Sequence, residues 1–154
     1  MKRTKFLGII ALVAVMGFAL IGCDNNGDDP AAGSLIGTWD GIGASAGETL
    51  IFSGNNIFFY YFGIPLARGT FVIPSANTIT TTFTHFHSSF FGSGSGWLDR
   101  GQIRLLLIVD GMTPADADIE LNELFAPHTA TFSVIGSTLT ITDEWGTGTY
   151  SRRP

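Results

Sequence analysis

Asn77-Thr78-Ile79-Thr80-Thr81-Thr82-Phe83-Thr84-His85-Phe86-His87 alternates clearly along its length. Ile79, Thr81, Phe83, His85 and His87 share one parity; Thr80, Thr82, Thr84 and Phe86 share the other. Side chains of a strand point to opposite faces with a period of two, and β-branched and aromatic residues suit a pleated surface. The stretch therefore predicts a long β-strand whose inner face begins apolar and ends in two histidines.

The same rhythm extends outward in both directions. Upstream, Leu35–Ile42, Glu48–Ser53, Asn56–Phe62 and Arg68–Ile73 read as strands; downstream, His128–Ile135, Ser137–Asp143 and Trp145–Arg152 do. Gly54-Asn55 is a hairpin turn signal, and Pro74–Ala76 and Gly136-Ser137 are equally short breaks. Gly43–Gly47 is a small-residue turn, and Gly63–Ala67 is expected to turn because Pro65 bars strand continuation. About eight strands in hairpin order predict an all-β fold, an up-and-down antiparallel barrel, in which closure removes exposed edges.

A long insertion, 88–127, separates the fifth and sixth expected strands. It opens with Gly92-Ser93-Gly94-Ser95-Gly96, a flexible piece. Gln102–Val109 is strongly apolar and fits an extra strand or a buried helix; periodicity does not decide. Thr113-Pro114-Ala115-Asp116 predicts one short helix, with Thr as N-cap, Pro at the first position and an acid three residues after the cap. That helix should run to about Phe125, with Pro127 stopping it. An insertion this long in a small barrel is more often functional than a simple connector.

Composition narrows the function classes. The 154 residues carry a net charge of −5, and no lysine follows Lys5. An acidic surface repels phosphate backbones, so no nucleic-acid partner is expected. Cys23 is the only cysteine, which leaves no intramolecular disulfide and no multi-cysteine metal site. Neither a Gly-x-Ser-x-Gly nucleophile turn nor a phosphate loop is present, so no motif compels an enzymatic reading.

The first residues state an address. Lys2, Arg3 and Lys5 precede an apolar run, Phe6 to Ile21, that ends in Leu20-Ile21-Gly22-Cys23. A cationic head, a short apolar core and small residues at a cut site make a secretory signal. The stretch resembles the lipobox of bacterial lipoproteins, Leu-x-Gly/Ala-Cys. The resemblance implies removal of residues 1–22, acylation of Cys23 and attachment to a lipid bilayer of the bacterial cell envelope. Loss of the three N-terminal cations would take the net charge from −5 to −8. The rival reading is a retained membrane helix, but Gly8, Gly17 and Gly22 dilute the run, and acidic residues follow it rather than basic ones. Residues 23–34 then form the lipidated cysteine and a polar tether spanning about 20 Å as a coil, and 35–154 form the barrel domain.

A second resemblance lies on the first and last strands. Gly37-Thr38-Trp39 is similar to the Gly-x-Trp signature of lipocalins, and Gly148-Thr149-Tyr150-Ser151-Arg152 to the late strand whose arginine packs over that tryptophan. The resemblance implies a calycin-type barrel closed at one end by Trp39 and Arg152. The helix that follows the last strand in that family has no counterpart before Pro154.

Strand parity places the candidate site. Phe52, Phe59, Phe71, Phe83 and Phe132 fall on inward faces as cavity lining. Glu48, His85, His87, His128 and Asp143 fall inward at the opposite, loop-rich end as a polar mouth. Three functions follow as expectations. The first is a membrane-anchored barrel binding a small, mostly apolar ligand, with the insertion as a partial lid. The second is a filled barrel presenting loops to an envelope or host protein. The third is a divalent metal site, or a metal-dependent enzyme with Glu48 or Asp143 as base, at His85, His87 and His128, since His-x-His on one strand face plus a neighbouring histidine can ligate zinc. The parity argument fails if a single β-bulge intervenes.

Overall fold

The computed structural model describes residues 35–92 and 94–154. The expected signal peptide, Cys23 and the tether lie outside the described residues. Nine strands are described: β1 (Gly37–Ile42), β2 (Glu48–Ser53), β3 (Asn56–Tyr61), β4 (Ile64–Ser75), β5 (Thr78–His87), β6 (Trp97–Leu98), β7 (His128–Ile135), β8 (Thr138–Asp143) and β9 (Gly146–Arg152). Two helices, α1 (Arg100–Val109) and α2 (Pro114–Leu124), lie between β6 and β7. Among the described residues no helix is long and apolar enough to cross a membrane.

Eight strands close an all-antiparallel up-and-down barrel in the order β1-β2-β3-β4-β5-β7-β8-β9, with β9 returning to β1. The ninth, β6, is a two-residue extension on the end of β5, pairing Trp97 with His87 and Leu98 with Phe86. Seven of the eight wall strands match the expected segments to within two residues. The exception is β4. Gly63–Ala67 does not turn; the turn is Phe62-Gly63, and Pro65 lies inside the strand opposite Tyr60. The ladder accommodates it because the register slips there: Phe59 faces Ala67 and Tyr60 faces Pro65, so Leu66 is an extra residue. A proline survives in a sheet at such a bulge, where an N–H is not required.

The turn itself is unusual. Phe62 at φ 48° and Gly63 at φ 77° are both left-handed, as a type I′ hairpin requires. Glycine enters that region freely, whereas a residue with a Cβ is strained in it by about 1–2 kcal/mol. Phe62 is 71% exposed, and its ring covers Gly47.

The insertion holds two helices instead of one. Asp99 caps α1: its Oδ1 accepts from the Gln102 N–H at 2.9 Å, and the Gln102 side chain accepts from the Asp99 N–H at 2.9 Å. This capping box satisfies two of the donors that a helix start leaves unpaired, and it resolves the apolar 102–109 run as helix. Ile103 and Leu107, four residues apart, are its buried stripe. The other helix starts as expected, with Thr113 Oγ1 accepting from the Asp116 N–H and Pro114 in the first turn; Ala117 and Leu121 are buried. Arg104 Nε reaches Asp118 Oδ1 at 2.6 Å across the helix pair.

Two apolar clusters organise the interior. The lower one contains Leu35, Trp39, Leu50, Phe52, Ile57, Phe71, Ile79, Phe132, Leu139 and Tyr150. The upper one joins Ala67 and Phe86 of the wall to Ile103, Leu107, Ala117 and Leu121 of the helices. Phe59 and Phe83 pack against both. The helices therefore sit over the loop-rich end of the barrel.

Candidate functional site

The tight end is closed by aromatic and cationic packing. Trp39 and Leu35 are fully buried, and the indole Nε1 donates to the Leu35 carbonyl at 2.8 Å. The guanidinium carbon of Arg152 lies 4.5 Å from the centre of the Trp39 ring, and β1–β9 pairing sets the two residues opposite one another. A planar cation over an indole is the strongest common cation–π geometry. Above this floor, Phe52 and Phe71 meet edge to face at 5.1 Å. Phe52, Phe71 and Phe132 are buried within the floor, whereas Phe59 and Phe83 are only half-buried.

The upper interior is lined by inward residues that keep partial exposure: Phe59, Phe83, Ala130 and Ile141, with Glu48, His128 and Asp143 near the rim. Gly41 and Gly148 are what let the β1–β2 connection fold inward here. A Cβ on Gly41 would stand 1.9 Å from the Ser45 carbonyl oxygen, and one on Gly148 would meet the Tyr150 hydroxyl at 2.8 Å. Ser45 is buried as a result, and it hydrogen-bonds to the Tyr150 side chain.

The Tyr150 hydroxyl donates to Glu48 Oε2 at 2.6 Å. Burial holds the phenol well above its ordinary range, and the Glu48 charge adds to this. Glu48 itself is lifted above the ordinary carboxylate value by burial, with the Tyr150 hydrogen bond opposing part of the rise. Both shifts follow from desolvation, which disfavours a charged form. Asp143 Oδ1 accepts from the Trp145 and Gly146 N–H groups at 2.9 and 3.0 Å, shaping the β8–β9 turn. His128 packs against Trp145, the rings tilted and their centres 5.0 Å apart.

His85 and His87 do not join this group. Gly69 pairs with Phe83, but Arg68 pairs with His85 and Ala67 with Phe86. Thr84 is therefore an extra residue, and parity reverses beyond it: Phe86 turns inward to the upper cluster, and both histidines turn to the outer wall. His85 Nδ1 lies 3.0 Å from Thr84 Oγ1. His87 Nδ1 lies 2.7 Å from Ser89 Oγ, and the His87 ring meets Trp97 edge-on at 5.4 Å. The expected trio His85, His87 and His128 is split between wall and rim. Among the described residues no group of three or more His, Cys, Asp or Glu side chains is placed to hold a metal ion.

Sequence reasoning passed over Ser45, Tyr150 as the partner of Glu48, and the outer-wall pair Arg68 and Trp97. Gly41 and Gly148 share the inward parity of Trp39 and Tyr150, so two side-chain-free positions at one end were a legible sign that backbone approaches there. Comparisons with protein-family models, curated proteins and solved structures find no match.

Proposed function

We propose that this chain is a lipid-anchored, lipocalin-like barrel of a bacterial cell envelope, attached through acylated Cys23, whose upper interior takes a small, mostly apolar ligand. One observation carries the reading. Phe59 and Phe83 point inward between a fully packed floor and the two covering helices, yet remain half-buried. Inward aromatics that keep some exposure, beside a few convergent polar groups, are the usual make-up of a small-molecule site. Glu48, Tyr150 and Asp143 supply the polar end. The Gly37-Thr38-Trp39 motif and the Arg152–Trp39 stack support the lipocalin resemblance.

The test uses the full chain extracted from membranes. Native mass spectrometry should find one apolar molecule per chain, and an environment-sensitive naphthalene dye should bind saturably. Ala130→Phe should abolish dye binding by filling the upper interior while leaving the floor intact. A wild-type chain that neither carries a ligand nor binds the dye would refute the reading.

A specific observation supports the partner-binding alternative. Ile42, Phe62, Ile64 and Trp145 are all exposed at the loop-rich end, and strained Phe62 is held there at energetic cost. In that case the dye fails to bind, and loss of a specific envelope or host protein complex follows Phe62→Asn.

A further inference from the structure

We propose a second binding site, on the outer wall of the barrel, that takes an oxyanionic group, phosphate or carboxylate, on Arg68, His87 and Trp97. The bulge at Thr84 creates it. By turning His85 and His87 outward, it aligns them with Arg68, which pairs with His85 across the ladder. Bulges commonly re-aim side chains beside functional sites. This one depends on Gly69, where any Cβ would stand 2.0 Å from the Thr82 carbonyl oxygen. The short strand β6 completes the arrangement by fixing Trp97 opposite His87.

A guanidinium and an imidazole converge on the one indole. The guanidinium carbon of Arg68 lies 4.8 Å over the Trp97 ring, and the His87 ring approaches its edge at 5.4 Å. Stacking leaves the edge of a guanidinium, which carries its N–H donors, directed away from the ring. Other arginines are already engaged by their own neighbours. Arg104 binds Asp118, Arg153 binds Asp40, Arg100 binds Asn122, and Arg152 covers Trp39. The Arg68 side chain makes no ion pair or hydrogen bond among the described residues; it lies over Trp97. His87 adds an imidazole whose Nδ1 is engaged by Ser89, with Oγ at 2.7 Å and the N–H at 3.3 Å, so Nε2 is the ring nitrogen that would meet a ligand. A fork of guanidinium donors with an imidazole beside it matches an oxyanion. In a chain of net charge −5, this local concentration of donors is an exception that the overall field does not explain.

The experiment is calorimetric titration of the full-length chain in detergent with inorganic phosphate, then acetate, and sedimentation with vesicles of phosphatidylglycerol against phosphatidylcholine. Saturable binding of a small anion with equal recovery on the two vesicles identifies a free anion as the ligand. Selective sedimentation with phosphatidylglycerol identifies a lipid headgroup. Arg68→Gln should weaken binding about tenfold or more, the loss expected for charge-assisted hydrogen bonds, and Arg104→Gln should not. His87→Gln provides a second variant should Arg68→Gln unfold, and Arg68→Lys should bind more weakly than wild type because it keeps charge but loses the fork. Absence of binding to phosphate, acetate and anionic vesicles alike, or equal affinity of wild type and the Arg68→Gln and His87→Gln variants, overturns the proposal.

Discussion

Replacing Gly69 by alanine tests the bulge on which both the interior and the outer wall depend. The new methyl carbon would sit 2.0 Å from the Thr82 carbonyl oxygen and 2.6 Å from the Phe83 Cα. Ordinary contact begins at 3.4 Å, so β5 would have to retreat by about 1.4 Å, and both colliding groups are backbone with no rotamer to yield. Overpacking of this kind costs about 1–3 kcal/mol. Parting β4 from β5 at the bulge removes about two ladder hydrogen bonds of about 1 kcal/mol each. The loss is therefore about 3–5 kcal/mol, a large share of the 5–15 kcal/mol typical of a domain. Each kcal/mol moves the melting midpoint of a domain this size by about 3–5 °C, so the variant should melt about 10–25 °C lower. Thermal unfolding followed by near-ultraviolet circular dichroism reads this directly. Gly101→Ala, in the first turn of α1, is the matched control and should be neutral or slightly stabilising. If Gly69→Ala melts within about 3 °C of wild type, the close approach of the two backbones is not what holds the bulge.

Three further outcomes follow. Glu48 has a folded-state value above its ordinary 4.5, so its ionisation costs native stability as pH rises from 4.5 through that raised value; Glu48→Gln should stabilise the protein above this window and lose its advantage below it, as urea midpoints across the pH range will show. Asp99→Ala removes the α1 capping box and should cost about 1 kcal/mol, with faster amide exchange at Gln102 than in wild type. Phe62→Asn places a residue suited to left-handed backbone before Gly63 and should gain about 0.5–1 kcal/mol in denaturant unfolding; an unchanged or lower midpoint would show that the Phe62 ring on Gly47 outweighs the strain.

The barrel was legible because its signals are local. Gly54-Asn55 and Gly136-Ser137 mark hairpins by themselves, and the alternation from Ile79 to Phe83 gives the correct inner face. The helix start at Thr113-Pro114 was equally readable. What the sequence concealed depends on contacts between distant residues. The bulge at Thr84 is licensed by Gly69 on the neighbouring strand, and nothing within 77–87 announces it. Hence parity alone puts His85 and His87 at the mouth, whereas the ladder sends them outside. Pro65 looks like a strand breaker from the sequence because the slip at Leu66 that tolerates it is likewise a property of the pair. The α1 start is different, for Asp99-x-x-Gln102 is a capping box written in the sequence itself and decides for helix over strand.

Phe59 and Phe83 alone, among the described residues, pack against both the floor and the helical cap. Mechanical coupling between the two bodies therefore runs through a pair of rings. Lifting the cap exposes one cluster and leaves the eight-strand ladder closed, so the energy of opening is set by the small upper cluster and not by the stability of the whole. A cap held by so small a cluster should exchange its amide protons ahead of the wall, as a cooperative unit of its own.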